Sequence, residues 1–187
     1  QKVIAKSKRK MEVGMSAHMS SYENVLIQDY SYLIFVVFWN ELETEFTKNL
    51  KEQAHSLGTA LDELGFVVQP SKAKATYETA QQVREKEWPD EIISRFDSDQ
   101  FPFILVIDSD FKSFNPQLHP WVIFWGSEDF YNTDQIYKLF GKILQLVKAG
   151  NNLFDYFKEH QKQPWYKKLF KHIEVKPGVF GVTVDAK

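Results

Sequence analysis

The sequence predicts a three-layer α/β/α sandwich built on a mainly parallel sheet. Two apolar runs, YLIFVVFW at 32–39 and FPFILVI at 101–107, lack the alternation of a one-sided strand, which indicates strands covered on both faces. Strands of this kind that recur between helical segments are typical of parallel sheets, because each crossover helix covers a sheet face. A chain of 187 residues is long enough for one such core.

The first half of the chain predicts a strand, a helix and a second strand. Asn40 and Glu43 form an N-cap and its capping-box partner after the first strand. Apolar residues at steps of three, four or seven then predict one amphipathic helix over 41–64. Gly65 is the expected C-terminal residue of this helix, and FVVQ at 66–69 reads as a short strand.

The second half predicts helices around two further strands and a C-terminal extension. The order of segments is similar to that of flavodoxin-like and Rossmann-like folds. The predicted elements are a helix over 71–98 broken at Pro89, strands at 101–107 and 121–125, a helix from Thr133 or Asp134 to Gly150, a short helix LFDYFKEH, and, after Pro164, a helical turn and a β-hairpin around Pro177 and Gly178.

Three segments differ in character. Residues 1–19 contain all three methionines and a basic cluster, so we expect an added tail with Met19 as the native start. Residues 20–163 form the α/β domain, and residues 164–187 are expected to begin a further, truncated region. The chain has no cysteine, no apolar stretch near the roughly 20 residues that span a bilayer, and no recognisable signal peptide, which favours a cytoplasmic protein away from membranes.

Charge and motifs exclude several function classes. Residues 1–19 carry five positive charges and one negative, so the formal charge of −2 becomes −6 without them, which disfavours nucleic acid as a partner. The chain contains neither G-x-G-x-x-G nor a P-loop, which disfavours a dinucleotide or P-loop nucleotide site. A G-x-S-x-G nucleophile elbow is absent as well.

Acidic residues follow three of the predicted strands. In an open parallel sheet these strand ends would form one rim, where ligands bind. Asp108 and Asp110 could hold Mg²⁺ there, since Mg²⁺ is often bound by one or two carboxylates together with substrate phosphates. The alternative is that the pair only returns a buried strand to solvent. The candidate catalytic residues on this rim are Asp108, Asp110, Glu41, Glu43 and the loop histidine His119, a possible general base.

The run ILVIDSDF resembles the aspartate motif of haloacid-dehalogenase-type phosphatases and the DxD motif of glycosyltransferases with a nucleotide-binding fold. Both resemblances cover about eight residues and imply Mg²⁺-dependent chemistry on a phosphorylated or nucleotide substrate. The phosphatase pattern has Thr or Val two residues after the second aspartate, where this chain has Lys112. The transferase pattern belongs to a larger domain.

Aromatic residues cluster around the fourth strand. Core packing accounts for most of them, and an exposed remainder would form a ligand or partner surface. The residues predicted for that surface are Phe111, Phe114, Trp125 and Glu128.

Two functions are therefore predicted. The first is a non-catalytic module of a larger signalling-type protein that senses a small molecule or binds a protein, with no cofactor. The second is an enzyme acting on a nucleotide or phosphorylated substrate through Asp108 and Asp110. A variant of the second rests on element order, which is similar to Toll/interleukin-1-receptor-type domains; that resemblance implies NAD cleavage by a glutamate and assigns no residue here.

Overall fold

A computed structural model describes residues 30–37, 45–69, 73–97, 103–126, 133–160 and 170–176. The described elements, in chain order, are β1 (Tyr32–Val37), α1 (Glu45–Leu61), a 3-10 turn (Asp62–Leu64), β2 (Gly65–Val68), α2 (Ala73–Arg84), α3 (Asp90–Asp97), β3 (Phe103–Ile107), β4 (Trp121–Gly126), α4 (Thr133–Lys148), α5 (Leu153–His160) and β5 (Phe170–Lys176).

The described strands form one mixed sheet in the order β2-β1-β3-β4-β5. The prediction that the first four runs share a sheet is confirmed. The prediction of a mainly parallel, flavodoxin-like or Rossmann-like sheet is wrong, because only β1 and β2 are parallel and the three other pairings are antiparallel.

The connection between β3 and β4 explains why the parallel prediction fails. A parallel pair needs a crossover of a dozen or more residues, usually through a helix. Residues 108–120 contain turns and no helix, and they join β3 directly to its antiparallel neighbour β4. Burial of both strand faces is typical of parallel sheets and predicts one from the sequence, yet such burial is compatible with either strand direction.

Alternate strand residues enter two hydrophobic clusters, as the period of two in a strand requires. On β1, for example, Ile34 and Val36 belong to the first cluster, whereas Leu33 and Phe35 belong to the second. The first cluster also contains buried residues of α1, α4 and α5. The second contains residues of α2 and α3 together with Trp88 and part of the β3–β4 connection.

The end of α1 differs in detail from its prediction. Asp62, and not Gly65, has the left-handed backbone, with φ of 53°. Aspartate tolerates this conformation better than most residues because its short side chain bonds locally. Gly65 is extended and is the first residue of β2, where an added Cβ would lie 3.0 Å from Leu61 Cδ1.

The junction of α4 and α5 follows the sequence prediction. Gly150 has φ of 72° and its N–H bonds to the carbonyl oxygen of Val147, which closes the end of α4. Asn152 then caps α5: its Oδ1 accepts from the backbone N–H groups of Phe154 at 2.9 Å and Asp155 at 3.0 Å.

Of the predicted C-terminal hairpin only the first strand, β5, is described, and it pairs antiparallel with β4. Its predicted second strand, the tail over 1–19 and the capping residues Asn40 and Glu43 lie outside the described residues. Within the part of the chain that is described, every helix is too short or too polar to cross a membrane.

Candidate functional site

The mixed sheet separates the strand ends that the sequence places on one rim. Leu33 pairs with Ile107 and Val37 with Phe103, so β3 ends beside the start of β1. Asp108 and Asp110, which follow β3, therefore lie at the opposite end of the strands from the carboxyl ends of β1, β2 and β4. Glu41, Glu43 and Glu128 lie outside the described residues. The carboxyl end of β3 therefore does not share a rim with the carboxyl ends of β1, β2 and β4.

Residues 108–120, here called the β3–β4 loop, fold back onto the second hydrophobic cluster. Phe111 and Phe114 are each only 3% exposed. The Phe111 ring lies 4.9 Å from Phe35 of β1, and the Phe114 ring lies 5.6 Å from Trp88. The loop therefore has its own apolar anchors in the core, in contrast to a connection that only runs over the surface.

Lys86, just after α2, holds the first half of the loop. Its Nζ donates to the carbonyl oxygen of Phe111 at 2.6 Å and lies 4.5 Å from the centre of the Phe111 ring. Burial lowers the pKa of Lys86, since desolvation disfavours the charged form. A partly desolvated ammonium that donates to a carbonyl and faces a ring is a stronger anchor than one in open water.

Asn115 organises the centre of the loop. Its Nδ2 donates to Glu87 Oε2 at 2.7 Å, and its Oδ1 accepts from the N–H of Gln117 at 2.7 Å. Its carbonyl oxygen accepts from the N–H groups of Leu118 and His119 at 3.0 and 2.9 Å. One side chain thus joins the turn to the segment after α2 and also shapes the turn itself.

The second half of the loop is tied to the sheet. Trp121 Nε1, at the start of β4, donates to the carbonyl oxygen of Pro116 at 3.0 Å. Lys176 Nζ, at the end of β5, donates to the same oxygen at 3.0 Å and also to the carbonyl oxygen of Gln117. Residues of β1, of the segment after α2, of β4 and of β5 therefore all contact this loop.

Leu118 projects from the fixed loop into solvent. Its side chain is 72% exposed, the largest exposed fraction among the large apolar residues that the structure describes as exposed. A single exposed leucine is ordinary on a protein surface. This one is unusual because the backbone on both sides of it is held by hydrogen bonds, so its position is set before any partner arrives.

Asp108 lies at the start of the same loop. Its side chain is exposed, yet the protein around it removes enough water to raise the pKa of its carboxyl group above the usual value. A bond to its own backbone and the charge of His119 act in the opposite direction and do not outweigh desolvation. Burial likewise raises the pKa of Tyr32, and the charges of Asp108 and Asp155 add to that effect.

The hydrogen bonding of His119 defines what this residue can do. Its Nδ1 accepts from the N–H of Asn115 at 2.9 Å, and its ring stacks on Phe114 with centres 6.2 Å apart. In the neutral ring the proton is therefore on Nε2, which makes that atom a donor. A general-base role, which the sequence predicted, would require His119 to give up its bond to Asn115.

Metal binding by Asp108 and Asp110 stays a prediction. Among the described residues, no three histidine, aspartate or glutamate side chains are grouped so that they could hold an ion. A melting curve with and without millimolar Mg²⁺, compared with the double Asp→Asn variant, would test the prediction.

The aromatic residues predicted for a partner surface are buried. Phe111, Phe114 and Trp125 all belong to the second cluster, with Trp125 fully enclosed, so none of them can contact a partner without unfolding. Sequence reasoning passed over Leu118 and Lys176. No local pattern in the sequence distinguishes Leu118 from Phe111 and Phe114, the other large apolar residues of this loop.

Comparisons with known proteins give this site no relative from which a role could be transferred. No protein-family model matches the chain. No curated protein and no solved structure matches it either.

Proposed function

We propose that this protein is a non-catalytic interaction module that recognises a protein partner through the β3–β4 loop. The observation that carries the proposal is the 72% exposure of Leu118 on a loop whose neighbouring backbone is fixed by Lys176, Trp121 and Asn115. Recognition residues are commonly found on loops that a rigid scaffold positions.

Pre-organisation is the physical argument for this use of the loop. Ordering a flexible loop on binding costs free energy that subtracts from affinity, whereas a loop already held in place avoids that cost. Burying one leucine side chain contributes about 1.5–3 kcal/mol. A fixed Leu118 therefore delivers most of that free energy to the complex.

The chemistry around Leu118 indicates the kind of surface that would fit. The partner needs an apolar pocket for the leucine. His119, the next residue, offers an Nε2–H donor in its neutral form, and the exposed carboxylate of Asp108, which interacts electrostatically with His119, favours a basic group. We expect a partner surface that combines a small apolar pocket with an acceptor and a lysine or arginine.

Site-specific photocrosslinking tests the proposal while the partner is still unidentified. A photoreactive residue placed at position 118 should form a discrete adduct in lysate of the source organism. The matched control carries the same residue at Tyr77, which is 61% exposed on α2. An adduct at 118 that is absent at 77 supports the loop, and equal labelling at both positions contradicts it.

Once the adduct is identified, the purified partner allows a quantitative test. Leu118→Ala should weaken binding about tenfold or more, because 1.4 kcal/mol corresponds to a factor of ten. Tyr77→Ala should leave the dissociation constant unchanged. An unaltered constant for Leu118→Ala would remove Leu118 from the interface and refute the proposal.

A further inference from the structure

Two hydrogen bonds between Asn115 and His119 close the turn that carries Leu118. The N–H of His119 donates to the carbonyl oxygen of Asn115 at 2.9 Å. In return, the N–H of Asn115 donates to His119 Nδ1, also at 2.9 Å. Leu118 lies within the ring that these bonds form, and its own N–H donates to the same carbonyl oxygen at 3.0 Å. The position of Leu118 is therefore set in part by an imidazole nitrogen.

The bond from Asn115 to the imidazole requires a neutral ring. A neutral imidazole has one acceptor nitrogen, whereas both nitrogens of an imidazolium are donors. Because Nε2 of His119 already carries the proton of the neutral form, a second proton goes to Nδ1. The Nδ1–H and the N–H of Asn115 would then be two donors facing each other. Histidine side chains ordinarily change charge between about pH 5 and 8.

We propose that His119 is a pH-sensitive latch of the β3–β4 loop. In its neutral form it holds the 115–119 turn closed through Nδ1, and protonation releases the N–H of Asn115 and with it the fixed position of Leu118. The opening of the turn follows from the hydrogen bonding alone, whereas its effect on a partner rests on the proposed function.

The charged side chains around the loop leave the imidazole as the group that changes. Charged or titratable groups from three further parts of the chain lie around the loop, namely Tyr32 of β1, Lys86 and Glu87 after α2, and Lys176 of β5. The lysines bond to backbone carbonyl oxygens and Glu87 bonds to the Asn115 side chain, so these bonds persist when the ring is protonated. Asp108, within the loop, interacts electrostatically with His119 and favours its charged form. We therefore expect a local opening of the turn.

Protonation of His119 should weaken partner binding for two reasons. An opened turn has to be ordered again on binding, which subtracts from affinity. The imidazolium also places a positive charge near Asp108, where the proposed partner carries a lysine or arginine. Both effects act in the same direction, so binding should be favoured at neutral pH and lost in mild acid.

Amide hydrogen exchange on the full chain tests the latch without a partner. The protection factor of the Asn115 N–H should fall about tenfold or more between about pH 8 and pH 5, because its acceptor is lost. In His119→Asn the amide Oδ1 takes the place of Nδ1 and does not titrate, so protection should stay constant over this range. Equal protection at both pH values in the original chain, or the same fall in His119→Asn, would overturn the proposal.

Two further variants assign the transition to His119. His55→Asn removes an exposed histidine of α1 and should keep the full fall in protection. Asp108→Asn should also keep the fall but move it to lower pH, because the attraction to the imidazolium is gone. A fall that disappears in either variant would assign the transition to that residue and overturn the proposal.

Photocrosslinking from position 118 at pH 8 and pH 5 separates the latch from the proposed function. The yield of the discrete adduct should fall in acid. His119→Asn should give a lower yield at pH 8, since it lacks the Nε2–H donor, but its yield should fall less in acid. Changing protection of Asn115 without any discrete adduct at pH 8 would refute the proposed function and support the latch, whereas a discrete adduct with unchanging protection would refute the latch alone.

Discussion

Lys176 on β5 donates a hydrogen bond from Nζ to the carbonyl oxygen of Pro116, 3.0 Å away in the β3–β4 loop. The two residues lie 60 positions apart in sequence. The last described strand therefore helps to fix the loop that presents Leu118. The bond connects the sheet to the proposed recognition loop, so the position of this loop depends on β5.

Replacing Lys176 by methionine should loosen the loop without unfolding the domain. Methionine keeps most of the aliphatic stem but donates no hydrogen bond, so the carbonyl oxygens of Pro116 and Gln117 lose a charged partner. We expect faster amide hydrogen exchange at Leu118 and His119 and a loss of about 1 kcal/mol in unfolding free energy. Lys48→Met on α1 is the control, and identical exchange in both variants would contradict the assignment.

Two buried tryptophans provide a matched comparison in the second cluster. Trp88 Nε1 donates to the carbonyl oxygen of Val83 at 2.6 Å, whereas Trp125 Nε1 is buried with no partner among the described residues. Trp88→Phe should lose about 2 kcal/mol of unfolding free energy through the bond and the lost volume. Trp125→Phe should lose less, because only volume is removed. Urea unfolding of both variants measures the difference, and a larger loss for Trp125→Phe would refute this account.

The sequence identified most elements because burial on two faces and helical periodicity are local properties. The unbroken apolar run at 101–107 predicted β3, and Gly150 marked the end of α4. Strand direction is not local in this sense. It depended on how the β3–β4 loop packs, with Phe111 and Phe114 in the core, and no periodicity in residues 108–120 reports that packing.

The candidate site was harder to predict for the same reason. Asp108 and His119 were selected from their residue types, and the structure does bring them within electrostatic range of each other. Glu41 and Glu43, the glutamates predicted for the same rim, would lie beside Asp108 only in a parallel sheet. The exposure of Leu118 depends on bonds to Glu87 and Lys176, which lie far away in sequence, so no local pattern could reveal it.

Substitution of Asn152, the N-cap of α5, tests how much this cap contributes to stability. Asn152→Ala removes the acceptor of the Phe154 and Asp155 N–H groups and should cost about 1 kcal/mol of unfolding free energy. Asn151→Ala is the control, because this neighbouring residue is of the same type and bonds to the carbonyl oxygen of Leu146 through its backbone N–H, which alanine keeps. Thermal melts of the two variants compare them, and equal melting temperatures would show that the cap contributes nothing.

Asp108→Asn tests the electrostatics of the loop through the pH dependence of stability. Because desolvation raises the pKa of Asp108 in the folded protein, the folded state binds this proton more tightly than the unfolded chain does. The resulting stability is fully present below the unfolded value of about 3.9 and is lost as the pH rises through the folded pKa. At neutral pH the ionised carboxylate therefore opposes folding, and the asparagine variant should be at least as stable as the original chain. The advantage of the variant should shrink as the pH is lowered toward about 3.9, as followed by urea unfolding across that range. A variant that is less stable at neutral pH, with the deficit closing in acid, would show that the bond to the backbone and the attraction to His119 outweigh desolvation.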